Sequence, residues 1–140
     1  HSRRLIGDGL DQRADFIAKD GNKIRTFLRG KIHRAVVTAA DLDYEGSLGL
    51  DEDLMKAADL RPFERGDVYN VTTGDRFATY LVKAAPGSGT VAIFGAAAHK
   101  ARVGDKVIIA AYAGLEENET DFFMPKIVLV DDRNRIREIR

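Results

Sequence analysis

The sequence predicts a mainly β domain, a compact barrel of many short strands with one or two short helices. Three observations carry this reading. Short runs rich in β-branched residues recur along the chain, turn-forming Gly, Pro and Asp separate them, and only one segment has a full set of helix signals.

Residues 1–22 are mixed and polar, with apolar positions at Leu5, Ile6, Leu10, Phe16 and Ile17. They fit either a short helix over 11–18 or a loose arm, and Asp20-Gly21-Asn22 reads as a turn. Residues 32–38 form a strand by their β-branched content. Residues 51–58 are the clearest helix: Asp51 suits the N-cap, acids fill the first turn, and good helix formers follow. Strands over 67–72 and 76–84 flank Thr73-Gly74-Asp75, a tight turn. Pro86-Gly87-Ser88-Gly89 is a second turn, followed by a strand over 90–94 and a short helical turn over 95–99. Residues 106–112 are almost wholly apolar and predict a buried strand; 126–130 is the last strand, and the charged tail 131–140 is expected to pack loosely.

A chain of 140 residues favours one domain with an ordinary core. Hydrophobic residues at 44% and charged residues at 31% exclude a disordered chain. Lys+Arg and Asp+Glu both total 22, so the charge balance gives no reason to expect nucleic acid or an anionic membrane as partner. With no cysteine there are no disulfides, thiolate metal sites or thiol nucleophiles. No apolar run is long enough to span a bilayer, and residues 1–8 lack a secretory signal's apolar stretch, so a cytoplasmic location is expected. His33 and His99 have no metal-ligand spacing and are read as structural or hydrogen-bonding. Gly87-Ser88-Gly89 lacks the pattern of a phosphate loop.

The chemistry lies in an ordered set of motifs. Ile24-Arg25-Thr26-Phe27-Leu28-Arg29-Gly30-Lys31-Ile32-His33-Arg34 comes first, then Tyr44-Glu45-Gly46-Ser47 and Tyr69-Asn70-Val71-Thr72. Gly74-Asp75-Arg76-Phe77-Ala78-Thr79-Tyr80 and Gly95-Ala96-Ala97-Ala98-His99 follow. Taken alone, Gly46-Ser47 is a loop; as a set, from about residue 24 to 112, these motifs resemble the pyruvoyl-dependent aspartate 1-decarboxylases.

That resemblance implies a double-psi β-barrel over 24–140, with 1–23 an extension or an arm added in cloning. It implies self-cleavage between Gly46 and Ser47, giving a covalently attached pyruvoyl group derived from Ser47, with no metal and no PLP. Glycine at 46 permits backbone conformations closed to other residues, so a strained peptide is expected there. Thr79 is expected to polarise the Gly46 carbonyl. By the same resemblance the ketone is expected to bind the amino acid substrate as a Schiff base and to act as electron sink, as PLP does elsewhere. Tyr80 matches the proton donor. Arg76 and Lys31 match the cations that hold the two carboxylates of aspartate; Ala96 and Ala97 match backbone contacts. The resemblance implies β-alanine as the product, for pantothenate biosynthesis, and a homotetramer with active sites between neighbouring subunits. A maturation factor is a further candidate partner.

Strand alternation places Arg76, Ala78 and Tyr80 on one face and Thr79 on the other, which conflicts with a role for Thr79 beside Gly46 unless a bulge intervenes. The chain also departs from the family at Phe94, where an asparagine is typical, and after Leu115, where the resemblance weakens. Exchanging an amide for a phenyl ring alters the pocket. It leaves open decarboxylation of a different amino acid or an unprocessed, non-catalytic homologue.

Overall fold

The computed structural model of the protein describes residues 3–5, 16–18 and 23–140. The strands are β1 (Arg3–Leu5), β2 (Phe16–Ala18), β3 (Lys23–Val36), β4 (Ala39–Asp41), β5 (Ser47–Asp51), β6 (Arg65–Asn70), β7 (Arg76–Ala84), β8 (Val91–Phe94), β9 (Lys106–Glu116), β10 (Lys126–Val130) and β11 (Ile136–Ile139). One α-helix, α1 (Glu52–Ala57), and 3-10 turns at Gly95–His99 and Glu117–Glu119 complete the described elements. The mainly β expectation is met. Of the helix considered over 11–18, residues 11–15 lie outside the described residues and the last three form β2; the turn at 20–22 also lies outside them.

The chain divides into two compact units, His1–Arg29 with Tyr112–Pro125, and Gly30–Ala111 with Lys126–Arg140. In the first, β1 pairs antiparallel with β2, and β2 with the start of β3. Phe27 and Phe123 meet edge to face at 6.0 Å, and Arg25 Nε donates to Glu117 at 2.9 Å.

The second unit holds every residue singled out for chemistry. Antiparallel ladders join β9 to β6 (Val68↔Ile109), β6 to β7 (Gly66↔Thr79) and β5 to β8 (Ser47↔Phe94). Parallel ladders join β5 to β7 (Leu48↔Leu81), β4 to β8 (Ala40↔Ile93) and β3 to β10 (Lys31↔Ile127). β5 is therefore clasped on both sides. Its residues are all buried, and Leu48 and Leu50 join Ile32, Leu54, Met55, Val68, Leu81, Val91, Ile93, Ile109 and Val128 in one core. Full burial of each such side chain contributes about 1.5–3 kcal/mol.

Three buried polar side chains tie loops to this core. Asp51 caps α1 through Asp53 N–H at 2.8 Å and also accepts from Gly87 and Gly89 N–H, at 3.0 and 2.8 Å. It thus joins the helix start to the turn before β8. Asn70 accepts from Thr72 and Thr73 N–H and donates to Lys100 O and Asp105, which shapes the turn leading into β7. The Arg102 N–H and the Asn70 amide, both donating to the Asp105 carboxylate, hold its pKa below the usual value.

Asn134 is the third. Its Oδ1 accepts from Val36 N–H at 2.7 Å, and Nδ2 donates to Val36 O and Gly89 O, both at 2.8 Å. It sits at φ 60°, which asparagine tolerates and most residues do not. This overturns the loosely packed tail: Asn134 turns the chain so that β11 pairs with β10. Asn134→Gly suits the backbone but removes three hydrogen bonds and leaves buried partners unpaired. We expect a loss of about 2–4 kcal/mol, read as a lowered denaturation midpoint. An unfolding free energy within about 0.5 kcal/mol of the wild type, the effect of an ordinary surface change, would show that the tail is not held this way.

Candidate active site

Chain exposure changes abruptly at one peptide bond. After β4, Asp43 N–H donates to Asp41 at 2.9 Å, and the turn leaves residues 42–46 exposed. The next residue, Ser47, is buried at 7% exposure as the first residue of β5. The strand ladders capture the chain from Ser47 onward, whereas Gly46 still belongs to the surface turn. Ser47 Oγ donates to Glu45 O at 3.4 Å, a long and weak bond that rotation about Cα–Cβ releases.

Phe94 and Gly95 form the opposite wall. Ser47 pairs with Phe94, and the Phe94 ring meets the Tyr44 ring edge to face at 5.4 Å. Gly95 has φ 74°, and a β-carbon on it would stand 2.6 Å from Gly46 Cα, 2.7 Å from Gly46 N and 3.1 Å from Tyr44 O. Gly46 itself does not meet the expectation of a conformation closed to other residues. It is not among the glycines at positive φ, and a β-carbon there would meet only Phe94 O, at 3.9 Å. Glycine is needed across the gap, at 95.

β7 supplies the polar side chains. Its register with β6 is regular from Arg65↔Tyr80 to Tyr69↔Arg76, so no bulge intervenes. Arg76, Ala78 and Tyr80 are exposed on one face, while Phe77 and Thr79 are half-buried and Leu81 fully buried on the other. Thr79 faces away from Arg76 and Tyr80, as alternation predicts, and the parallel ladder of β7 with β5 begins only at Leu48↔Leu81, beyond Thr79.

Two aromatic contacts orient the exposed pair. The Arg76 guanidinium lies over the Tyr69 ring at 4.3 Å, a cation–π contact that holds the fork at the sheet surface. The Tyr80 ring stacks on Phe63 at 6.5 Å with 26° between planes. Phe63 is 77% exposed at φ 71°, unusual for a bulky residue, and its N–H donates to Leu81 O at 2.7 Å. In the sequence Tyr69 stands out only within the Tyr69-Asn70-Val71-Thr72 motif, and nothing marks Phe63.

Ala96 and Ala97 lie in the 3-10 turn directly after Gly95, the first exposed and the second half-buried. Lys31 is half-buried on β3, paired with Ile127 of β10 rather than with a strand beside β5. His33, read as structural or hydrogen-bonding, has a buried Nδ1 with no hydrogen-bond partner among the described residues. Burial first, then the charges of Lys31, Arg34 and Arg140, push its pKa below the ordinary value.

The sequence model described as "Aspartate decarboxylase" matches residues 23–137. The chain belongs to the aspartate decarboxylase family. The "Aspartate 1-decarboxylase" of Ralstonia nicotianae is 56% identical over 116 residues, 83% of this chain and 97% of that protein. The enzyme of the same name from Bordetella avium is 57% identical, over 83% of this chain and 95% of its own; that from Cupriavidus necator is 48% identical. The match to the aspartate decarboxylases runs past Leu115 to residue 137, further than the resemblance read from the motifs alone. The double-psi β-barrel of this family agrees with the strand-dominated fold, and no helix among the described residues is long and apolar enough to cross a membrane.

Proposed function

We propose that this chain is an aspartate 1-decarboxylase, a carboxy-lyase that converts L-aspartate to β-alanine and carbon dioxide and so supplies pantothenate biosynthesis. One observation carries the reading beyond family membership. Ser47 is buried at the start of a doubly clasped strand, directly after an exposed glycine, and β7, which carries Tyr80, is one of the two strands that clasp it.

The residues fit a group made from Ser47. Ladders to β7 and β8 anchor residues 47–51 without help from the preceding turn, so a chain cut at this point keeps its new start in place. Ser47 Oγ attacks the Gly46 carbonyl carbon; the Gly46–Ser47 amide bond breaks, leaving an ester and a free Ser47 amine. Loss of the Ser47 α-proton and cleavage of the Cβ–O bond release the Gly46 carboxylate and leave dehydroalanine. Water adds, ammonia departs, and a pyruvoyl group heads the second chain. Thr79 polarises the Gly46 carbonyl in the first step.

The pyruvoyl ketone supplies an electron sink for decarboxylation. The chain's own residues do the rest. Tyr80 donates a proton to the carbon that has lost carbon dioxide. Arg76, steadied on Tyr69, offers a planar fork to the side-chain carboxylate, and Lys31 holds the second carboxylate. The backbone at Ala96 and Ala97 lines the site next to Phe94, whose ring narrows it. In this reading residues 24–140 are the catalytic barrel and 1–23 an extension, the assembly is a homotetramer with sites between neighbouring subunits, and the enzyme is cytoplasmic. A maturation factor enters only if the pure chain fails to cut itself.

A panel of amino acids, assayed for carbon dioxide release and β-alanine, tests the substrate. Aspartate is expected to turn over fastest; inert aspartate beside an active alternative would overturn the assignment. Arg76→Ala should still self-process but lose about 10–150-fold in kcat/KM for aspartate, the worth of a charge-assisted bidentate contact of about 1.5–3 kcal/mol. Unchanged kinetics would remove Arg76 from the pocket.

A further inference from the structure

We infer that Gly95 is a positioning residue for self-cleavage: its missing side chain lets the Phe94–Gly95 peptide act as a template across the Gly46–Ser47 bond. The inference rests on the self-processing reading above. Two contacts on opposite sides of that bond support it. Downstream, Ser47 is held by antiparallel pairing with Phe94. Upstream, Gly46 N and Cα and Tyr44 O crowd the space where a side chain of Gly95 would begin, at 2.7, 2.6 and 3.1 Å from that position. The Tyr44 ring, packed on the Phe94 ring at 5.4 Å, closes the same wall.

The bond to be cut thus lies against two consecutive residues of one short segment, paired downstream with Phe94 and closely approached upstream by Gly95. This matters for the first step, in which Ser47 Oγ bonds to the Gly46 carbonyl carbon as the amide bond breaks. The serine hydroxyl is held only by a 3.4 Å bond to Glu45 O. For it to meet the carbonyl, the peptide must not turn with it. Backbone paired on one side and closely packed on the other supplies that fixed target, and an error near 1 Å in such a geometry costs about 100-fold in rate. Gly95→Ala would put a carbon closer to backbone atoms than side chains come, so the template or the scissile peptide must move.

Left-handed backbone alone also disfavours alanine, and Gly104 separates the two effects. Its φ is 93°, and a β-carbon there meets nothing within 4 Å. Gly104→Ala therefore carries the backbone cost without the contact.

The experiment follows the uncut and cut masses of freshly purified full-length chains against time, with thermal melts of the same samples. The wild type and Gly104→Ala are expected to cleave at similar rates, and Gly95→Ala about 100-fold more slowly or not at all while still melting cooperatively. Should Gly95→Ala fail to fold, Gly95→Asn decides the matter. Asparagine accepts positive φ yet brings the same β-carbon, so slow cleavage in a folded chain is again expected. Wild-type cleavage in a folded Gly95→Ala or Gly95→Asn overturns the inference and leaves the self-processing reading standing. An equal slowing in Gly104→Ala also overturns it, because backbone cost then suffices. A wild-type chain that never cuts overturns both.

Discussion

Ser47→Ala is expected to yield one intact chain of full length, stable on prolonged warming and without decarboxylase activity. The variant removes a single oxygen. In the proposed mechanism that oxygen is both the nucleophile of self-cleavage and the leaving atom whose departure makes the pyruvoyl group, so its loss is expected to abolish both steps rather than slow them. The cost to the fold is small. Oγ makes only a 3.4 Å bond to Glu45 O, while the strand keeps its ladders to β7 and β8 and its buried neighbours Leu48 and Leu50. A change in stability below about 1 kcal/mol is expected. Loss of activity in a well-folded chain therefore reports chemistry. Cutting at the same bond in Ser47→Ala, detected by mass, would refute serine as the nucleophile.

Tyr80→Phe carries the second largest expected effect and separates the two chemistries. The ring stays, so its stacking on Phe63 and its place in β7 are retained; only the phenol hydroxyl is lost. Self-cleavage, assigned to Ser47 and Thr79, should proceed normally. Turnover of aspartate to β-alanine should fall by about 100- to 10,000-fold, the usual contribution of a positioned proton donor. Normal β-alanine formation by a fully processed Tyr80→Phe would remove Tyr80 from the acid role. A processing defect instead would place the phenol at the cleavage step.

Much of this was legible in the sequence where local rules decide the outcome. α1 forms where Asp51, two acids and a run of helix formers predict it, and β7 spans the residues read as a strand after Thr73-Gly74-Asp75. Alternation along β7 paired Arg76 with Tyr80 correctly. The failures occur where tertiary contacts decide. β5 contains Ser47 and Gly49, weak strand formers, and is a strand because β7 and β8 hold it on both sides. β11 is exposed and charged, and exists because Asn134 turns the tail back along β10. Glycine at 95 is required by a neighbour far earlier in the chain, so local sequence pointed instead to Gly46. Phe63 carried no signal at all, since its contact with Tyr80 depends on a left-handed backbone that an aromatic residue seldom adopts.

The central claim is that this chain makes its own cofactor by cutting itself before Ser47. Its most direct test is an intact-mass spectrum of the purified, denatured protein, before and after prolonged warming. The account predicts two fragments, one ending at Gly46 and the other running from position 47 to Arg140 with a borohydride-reducible pyruvoyl group at its start. A single uncut chain that survives warming would contradict it.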